Sequence, residues 1–578
     1  MRNLFLLLSI FLCALCAQAQ ESYSVGVATR SIEPDQKSFS LSLSGFAAPK
    51  EGRFSLTWKK VDAANGNLSK ELRQLAATTS AKAMAATKLG SWYYRLDAGG
   101  NLYRATSPRT QAEKITTTQR GKLVALTTDG YRLYALNSND SIWRIDLSDQ
   151  QNPWQLIGRN NNTTYAIHLT KIACIQNQLY GVAGNGDIYQ AAHATDNSMS
   201  VTAMSIGYQQ KKVLIIGLDL TGFPGSYIQD IKAIISKKYS LPPEAILVNA
   251  SHTHFAPVTA GWTTWESFYQ YPDSSYLNGA LKASILACAD EAMTQMHPSH
   301  IYYNSGTTAI GVNRRNTATV THPYDNSVAV LETVNRATRE KNILFLTGCH
   351  PVHKSGDWAT YMLSANYPGV CRKILKETQG YKNAVFLQGC GGDVNPVSSD
   401  FAQTGADLAA DVSRIVSSGM QTVTPTAISY FMDVINVPVQ PWSRDSITQF
   451  KTSNEKRAGA LDADKNVRWA NLMLQSKEPL ATSLTEMVQT INFGNIKLVG
   501  LSREVVNEYG TAIKNLWPQK QVMVAGYCNE VPSYLPNHWH IEQKLYEGYD
   551  SFFWYAQPAL PPVNILDIIL QQIKKNNR

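Results

Sequence analysis

The 578-residue chain lacks the two short signatures that mark many hydrolases. It has no GxSxG, so a serine nucleophile elbow is not indicated, and no HExxH, so the helix of a thermolysin-like zinc protease is not indicated either. Beyond the N-terminus no apolar run is long enough to span a bilayer. The 53 Lys and Arg against 44 Asp and Glu, a formal charge of +9, are scattered rather than clustered. No arginine-rich or RNA-binding pattern occurs, which argues against nucleic acid as a partner and leaves only a mild attraction to an anionic membrane surface. Cysteine is sparse. Cys13 and Cys16 lie in the N-terminal run, and Cys174, Cys288, Cys349, Cys371, Cys390 and Cys528 are far apart with no CxxC among them. That spacing excludes a structural zinc knuckle and assigns no disulfide.

What is present begins with Arg2, an apolar run from Leu4 to Leu15, and Ala17-Gln18-Ala19. This is the layout of a secretory leader, so residues 1–19 are expected to be removed and the mature protein to be a soluble, exported one, periplasmic or secreted. Leu12 and Leu15, rather than small residues, precede the two leader cysteines, which argues against lipidation.

Three segments between about residues 85 and 195 resemble one another. The first reads Trp92-Tyr93-Tyr94-Arg95-Leu96, Gly99-Gly100, Leu102-Tyr103-Arg104. The second reads Tyr131 to Leu136, then Ile142-Trp143-Arg144, and the third Leu179 to Val182, Gly184-Asn185-Gly186, Ile188-Tyr189-Gln190. Their closing dipeptides start at 102, 142 and 188, and this period with alternating strands and Gly/Asn/Asp turns predicts propeller-like β blades, although three are few for a closed ring. Such an all-β insertion either packs on the main domain or binds a glycan or lipid headgroup; fold alone names no ligand.

From residue 211 the texture changes. Lys212–Leu220, Ile246–Ala250, Ile343–Thr347 and Ala384–Leu387 read as buried strands, and Tyr227–Tyr239, Leu277–Met296, Gly369–Thr378 and Ala406–Val416 as amphipathic helices. This alternation predicts an α/β domain with a mostly parallel sheet. The expected organisation is a leader over 1–19, an α/β domain over 20–60 and 200–578, and an inserted β-repeat module over 61–199.

Four strand-like runs end in residues that bind metals or move protons. Ile246–Ala250 leads into Ser251-His252-Thr253-His254, and Ile343–Thr347 through Cys349 into His350-Pro351-Val352-His353. Ile496–Leu501 leads into Ser502-Arg503-Glu504, and Val522–Gly526 into Tyr527-Cys528-Asn529 and on to Tyr534. Catalytic groups collect at the carboxyl ends of strands in open α/β sheets, and alternate residues of a strand face one way, so both imidazoles of an HxH can reach one site. A lone HxH is equally an ordinary polar pair. His538 and His540 follow Pro536-Asn537 with no strand before them and read as a loop pair. His168, His193, His297, His300 and His322 read as surface or structural histidines.

Taken in order, these segments resemble the neutral/alkaline ceramidase family. Ser251-His252-Thr253-His254-Phe255-Ala256-Pro257 is similar to its (T/S)HTHSGP segment. Gly26-Val27-Ala28 through Ser31-Ile32-Glu33-Pro34 and Gly45-Phe46 resembles its opening, Gly217-Leu218-Asp219-Leu220 its SLDL strand, and Val312-Asn313-Arg314 its NR motif. Cys349-His350-Pro351-Val352, Ser364-Ala365-Asn366-Tyr367, Gly389–Pro396, and Gly526-Tyr527-Cys528-Asn529 through Tyr534 with Tyr546-Glu547-Gly548 resemble later family signatures. The resemblance covers residues 23–50 and 200–575.

It implies a zinc-dependent hydrolase of the amide bond of ceramide or a related N-acyl lipid, with Zn2+ as cofactor and a lipid or other N-acylated small molecule as substrate. It implies His252, His350, Glu504 and Tyr534 as zinc ligands, His254 as a hydrogen-bonding or acid/base residue, and Arg314 as the group that meets the substrate carbonyl. Three departures stand out. Ser502-Arg503 replaces the family's Pro-Gly before Glu504, the repeats interrupt the first strands, and the resemblance stops near Lys575, short of the family's C-terminal sandwich. A zinc amidase or esterase for another acylated molecule, and a non-enzymatic glycan- or lipid-binding protein, are the alternative readings.

Overall fold

The computed structural model describes residues 22–34, 56–61, 69–77, 86–115, 121–128, 130, 133–145, 154–158, 167–175, 178–193, 195–265, 272, 274–352 and 362–576. The expected leader and His353 lie outside these residues. The chain forms two compact units, one of residues 1–33, 197–355 and 364–578, the other of residues 34–196 and 356–363. No helix among the described residues is long and apolar enough to cross a membrane.

Among its described residues the smaller unit holds three four-stranded antiparallel sheets. Ala86–Leu89, Trp92–Leu96, Leu102–Ala105 and Glu113–Ile115 form the first, and Leu123–Thr128, Leu133–Asn137, Ile142–Ile145 and Trp154–Gly158 the second. The third consists of Leu169–Ile175, Gln178–Ala183 and Ile188–His193, completed by Leu56–Lys60, which pairs with the last of these. Leu56–Lys60 therefore belongs with the repeats, not with the α/β domain where residues 20–60 were expected. The repeat has a local cause. Two residues before each closing strand the backbone turns left-handed, at Gly100 (φ 81°), Asp140 (φ 58°) and Gly186 (φ 88°). Glycine, and with more strain Asp, adopts that conformation, so the hairpin recurs with the sequence. Among the described residues no sheet closes on itself, and the expected propeller-like arrangement of the blades is not confirmed.

The larger unit is built on a mixed sheet. Its strands run in the order Ile246–Ala250, Lys211–Leu218, Ser200–Tyr208, Tyr23–Ser31, His297–Thr307, Ser327–Asn335, Lys341–Thr347, Asn383–Gln388. Only the two terminal pairs are parallel; the pairs between them are antiparallel. The expected mostly parallel sheet is thus corrected. The strands responsible are Ser200–Tyr208, His297–Thr307 and Ser327–Asn335. Ser200–Tyr208 and Ser327–Asn335 are joined to their successors by tight turns at Gln209 (φ 55°) and Arg339 (φ 61°). Short turns permit only antiparallel pairing, and parallel pairs need a helical crossover. Gly225–Tyr239 and Asn366–Gln379 supply those crossovers at the two ends.

A second sheet consists of Ser429–Pro438, Ser483–Phe493, Ile496–Leu501 and Gln521–Ala525, the last two parallel. Single bridges, Asn249 with Cys528 and Gly389 with Ala525, join the carboxyl ends of the two sheets. One side chain fastens this junction. Asn249 Nδ2 donates to Gly526 O (2.7 Å) and Gln388 O (3.2 Å), and Asn249 Oδ1 accepts from Gln388 N (2.8 Å). Gln388 in turn donates to Cys349 O (2.6 Å). Three strand ends that carry candidate functional residues are thereby held in register.

Asn249→Ala strands the buried Gln388 N–H, whereas Gln388 O keeps its bond from Gly526 N and Gly526 O its bond from the Cys528 thiol. At about 1–3 kcal/mol for a stranded buried donor, the expected loss of stability is about 1–3 kcal/mol in urea unfolding. A loss below 1 kcal/mol would show that the junction does not depend on Asn249.

Candidate active site

His252, Arg314, His350 and Glu504 each sit within three residues of the end of a strand. The chain turns left-handed at His252 (φ 65°), Arg503 (φ 69°), Tyr527 (φ 54°) and Asn529 (φ 66°). Non-glycine residues pay of order 1–2 kcal/mol each for this conformation, and such strain gathers where side chains must be aimed. Glu504–Val505 pairs in parallel with Tyr534–Leu535, setting Glu504 directly opposite Tyr534. The loop after Gln388 approaches closely enough that a Cβ on Gly392 would stand 2.8 Å from Val505 O, so only glycine fits there.

Four of the residues singled out in sequence meet. His252 Nε2 lies 3.1 Å from Glu504 Oε2, and His350 Nε2 lies 3.5 Å from the same oxygen. His254 Nε2 stands 3.2 Å from His252 Nε2. The candidate ligand atoms of His252, His254 and His350 all lie within 4.8 Å of one another. His252, His350 and Glu504 are buried and His254 partly so.

The hydrogen bonds fix how these rings are protonated. His252 Nδ1 donates to Thr221 O (2.5 Å) and His350 Nδ1 to Gly391 O (2.6 Å). A carbonyl can only accept, so each Nδ1 carries a proton and each ring turns its Nε2 toward the cluster. Glu504 Oε1 accepts a hydrogen bond from the Tyr555 hydroxyl, while Oε2 has no hydrogen-bond partner, and neither does His350 Nε2. Glu504 Oε2 and His350 Nε2 thus converge with no donor between them, while His252 Nε2 shares a hydrogen bond with His254 Nε2. Burial without a partner costs several kcal/mol per group, and a cation removes that penalty. Two imidazoles oriented by backbone carbonyls, together with a carboxylate, make a donor set that suits zinc. The residues fit the metal.

Burial, followed by the neighbouring His252 and His350, holds the His254 imidazole well below the usual histidine range. Burial likewise brings His350 down to about 4.

The other two residues form a second group beside the first. Arg314 Nη2 donates to the Tyr534 hydroxyl (3.2 Å) and Arg314 Nε to Glu547 Oε1 (2.7 Å). Burial opposes the charge on Arg314, but Tyr534 and Glu547 outweigh it and keep the guanidinium ionised. Arg315 shares Glu547, with Nη2 2.7 Å from Oε2. Tyr534 therefore meets Arg314 through its oxygen while its backbone lies opposite Glu504.

Two participants were not singled out in sequence: Glu547, which clamps Arg314 and Arg315, and Tyr555, which holds Glu504. Tyr527, one of the strand-end residues named in sequence, lays its ring 4.5 Å from the His252 ring. Glu547 had a signal, since it lies within one of the segments that carry the family resemblance. Tyr555 had none, because Phe552-Phe553-Trp554-Tyr555 reads as core. His538 and His540 are not a loop pair. They lie on the short helix His538–Glu542, where His540 is fully buried with Nε2 3.6 Å from Asp393 Oδ2. Asn537 at the helix start closes a capping box with His540, which is the local reason for the turn.

No family model matches the chain, and no curated protein does. Among solved structures, it is similar to a neutral ceramidase from Pseudomonas aeruginosa, at TM-score 0.51 and 16% identity, over 65% of this chain and 68% of that one. It is also similar to a ceramidase complexed with C2, at TM-score 0.51 and 15% identity, over the same shares. The chain has a neutral ceramidase-like fold.

The depressed His350 ring predicts a pH response in metal-free protein. Its folded value of about 4 lies below the ordinary 6.5, so the unfolded chain binds the extra proton between those limits. The contribution is complete above pH 6.5 and is lost as pH falls toward 4, by roughly 3 kcal/mol. Urea unfolding from pH 7 to 4 should show a shallower decline in His350→Asn than in the wild type. Equal slopes would refute the assignment.

Proposed function

We propose that the chain is a zinc-dependent hydrolase of the amide bond of ceramide or a related N-acyl lipid, releasing a fatty acid and an amine. The observation that carries this reading is the buried convergence of His252 Nε2, His350 Nε2 and Glu504 Oε2, the last two without a hydrogen-bond partner. The ceramidase-like fold supports it. His252, His350 and Glu504 would hold the metal, with Tyr534 opposite Glu504 as the fourth candidate.

Bound zinc supplies Lewis acidity toward a carbonyl and acidifies water. The protein supplies the rest. His254 is neutral at rest, so its first role is to accept a proton from the attacking water, and its second is to return that proton to the departing amine. Arg314 is a permanent cation whose angle is set by Glu547 and Tyr534. It meets the negative charge that develops on the carbonyl oxygen, without reorganising during the reaction. The buried setting keeps bulk water from screening these charges. Export, suggested by the leader-like N-terminus, is part of this proposal, and the mild basic excess of the chain would favour contact with anionic lipid.

Metal analysis of purified protein should find one zinc per chain, and ceramide should release fatty acid faster than N-acyl sugars, simple N-acyl amides or esters. His252→Ala should lose both zinc and hydrolysis. Arg314→Met should keep its zinc while kcat falls roughly 10²–10³-fold. A zinc-free active protein, or full activity in His252→Ala, would overturn the reading. Faster turnover of another acyl compound would move the substrate assignment to that compound.

A further inference from the structure

The two oxygens of Glu504 are treated differently by the protein. Oε2 faces His252 Nε2 and His350 Nε2 with no hydrogen-bond donor, whereas Oε1 accepts from the Tyr555 hydroxyl. A free carboxylate rotates about its last bond and offers either oxygen, or both. A phenol bound to one oxygen fixes that rotation and leaves the other oxygen alone to face the imidazoles.

Tyr555 is itself held from several sides. Its ring packs edge-on against Trp262 (centroids 4.7 Å apart) and Tyr534 (6.3 Å). Its carbonyl accepts from Gln557 Nε2 (3.1 Å), and that amide also donates to Pro532 O (3.1 Å), two residues before Tyr534. Gln557 Oε1 accepts from Arg503 Nη1 (3.3 Å), the neighbour of Glu504. The segment carrying Trp262 is fastened to the residue before Tyr555, since Trp265 Nε1 donates to Trp554 O (2.9 Å) and Thr264 Oγ1 donates to the same carbonyl. Arg468 Nε donates to Thr264 O (2.8 Å). The hydroxyl therefore rests on a braced frame that ties the two strand ends bearing Glu504 and Tyr534.

We propose that Tyr555 is a positioning residue that orients the Glu504 carboxylate, so that Oε2 alone is presented to a cation shared with His252 and His350. This rests on the zinc reading above. Groups that orient metal ligands typically contribute 10–100-fold in metal affinity.

The test is the zinc dissociation constant of the full chain, measured by competition with a chelator, for wild type, Tyr555→Phe, Glu504→Gln and the double variant. Phenylalanine keeps the ring contacts, so the metal-free melting temperature should stay within a few degrees of wild type. Tyr555→Phe should bind zinc roughly 10–100-fold more weakly. On the Glu504→Gln background the same change should have little further effect, because Tyr555 acts through that carboxylate. Cobalt(II) in place of zinc supplies a second readout. Its visible absorption should differ between wild type and Tyr555→Phe, because release of Oε1 changes how the carboxylate binds. Equal zinc affinity and equal cobalt spectra in wild type and Tyr555→Phe would overturn the proposal and leave the zinc reading standing. A full additional loss on the Glu504→Gln background would overturn it too, by showing that Tyr555 acts independently. A wild type that binds neither metal would remove the zinc reading and this inference with it.

Discussion

Buried lone pairs that face one another demand a positive charge. His252 Nε2 and His350 Nε2 approach the same Glu504 oxygen, and both rings are held by backbone carbonyls in the orientation that makes those nitrogens acceptors. Left alone, such an arrangement opposes folding, because ion-free burial of a carboxylate among acceptors is costly. The surrounding structure is arranged to maintain it. Left-handed backbone at His252, Arg503, Tyr527 and Asn529, and the Asn249 staple between strand ends, keep the groups close.

The arrangement also separates two electrostatic tasks. The imidazole–carboxylate cluster concentrates acceptors, and the adjacent Arg314–Glu547–Arg315 group concentrates fixed positive charge. Tyr534 touches both, in register with Glu504 through its backbone and bonded to Arg314 through its hydroxyl. In the proposed reaction, a carbonyl placed between a bound cation and the guanidinium would be polarised from two directions.

Much of this was legible in the chain because strand ends leave local marks. Apolar runs such as Ile246–Ala250 and Ile496–Leu501 are short, strongly patterned, and followed at once by His252 and Glu504. Their convergence was inferable from the tendency of functional groups to gather at strand carboxyl ends, although the two runs lie in different sheets, joined at those ends by the Asn249–Cys528 and Gly389–Ala525 bridges. Sheet direction was not legible, since antiparallel strands such as Ser327–Asn335 resemble parallel ones in composition and differ only in how they connect. Nor was the partner of Glu504 legible. Tyr555 lies 51 residues away within an aromatic run, and no local pattern tells a hydroxyl aimed at a carboxylate from one packed in a core. The helix at His538–Glu542 escaped notice because five residues carry too little periodicity to read, and its cap is visible only once folded.

The most direct test of the central claim is a crystal structure of protein grown with zinc, with anomalous scattering recorded across the zinc edge. The account predicts one strong peak among His252 Nε2, His350 Nε2 and Glu504 Oε2, with ligand distances of about 2.0–2.2 Å. An empty cluster, with those three atoms separated or bridged by a proton or water in the presence of excess zinc, would contradict it.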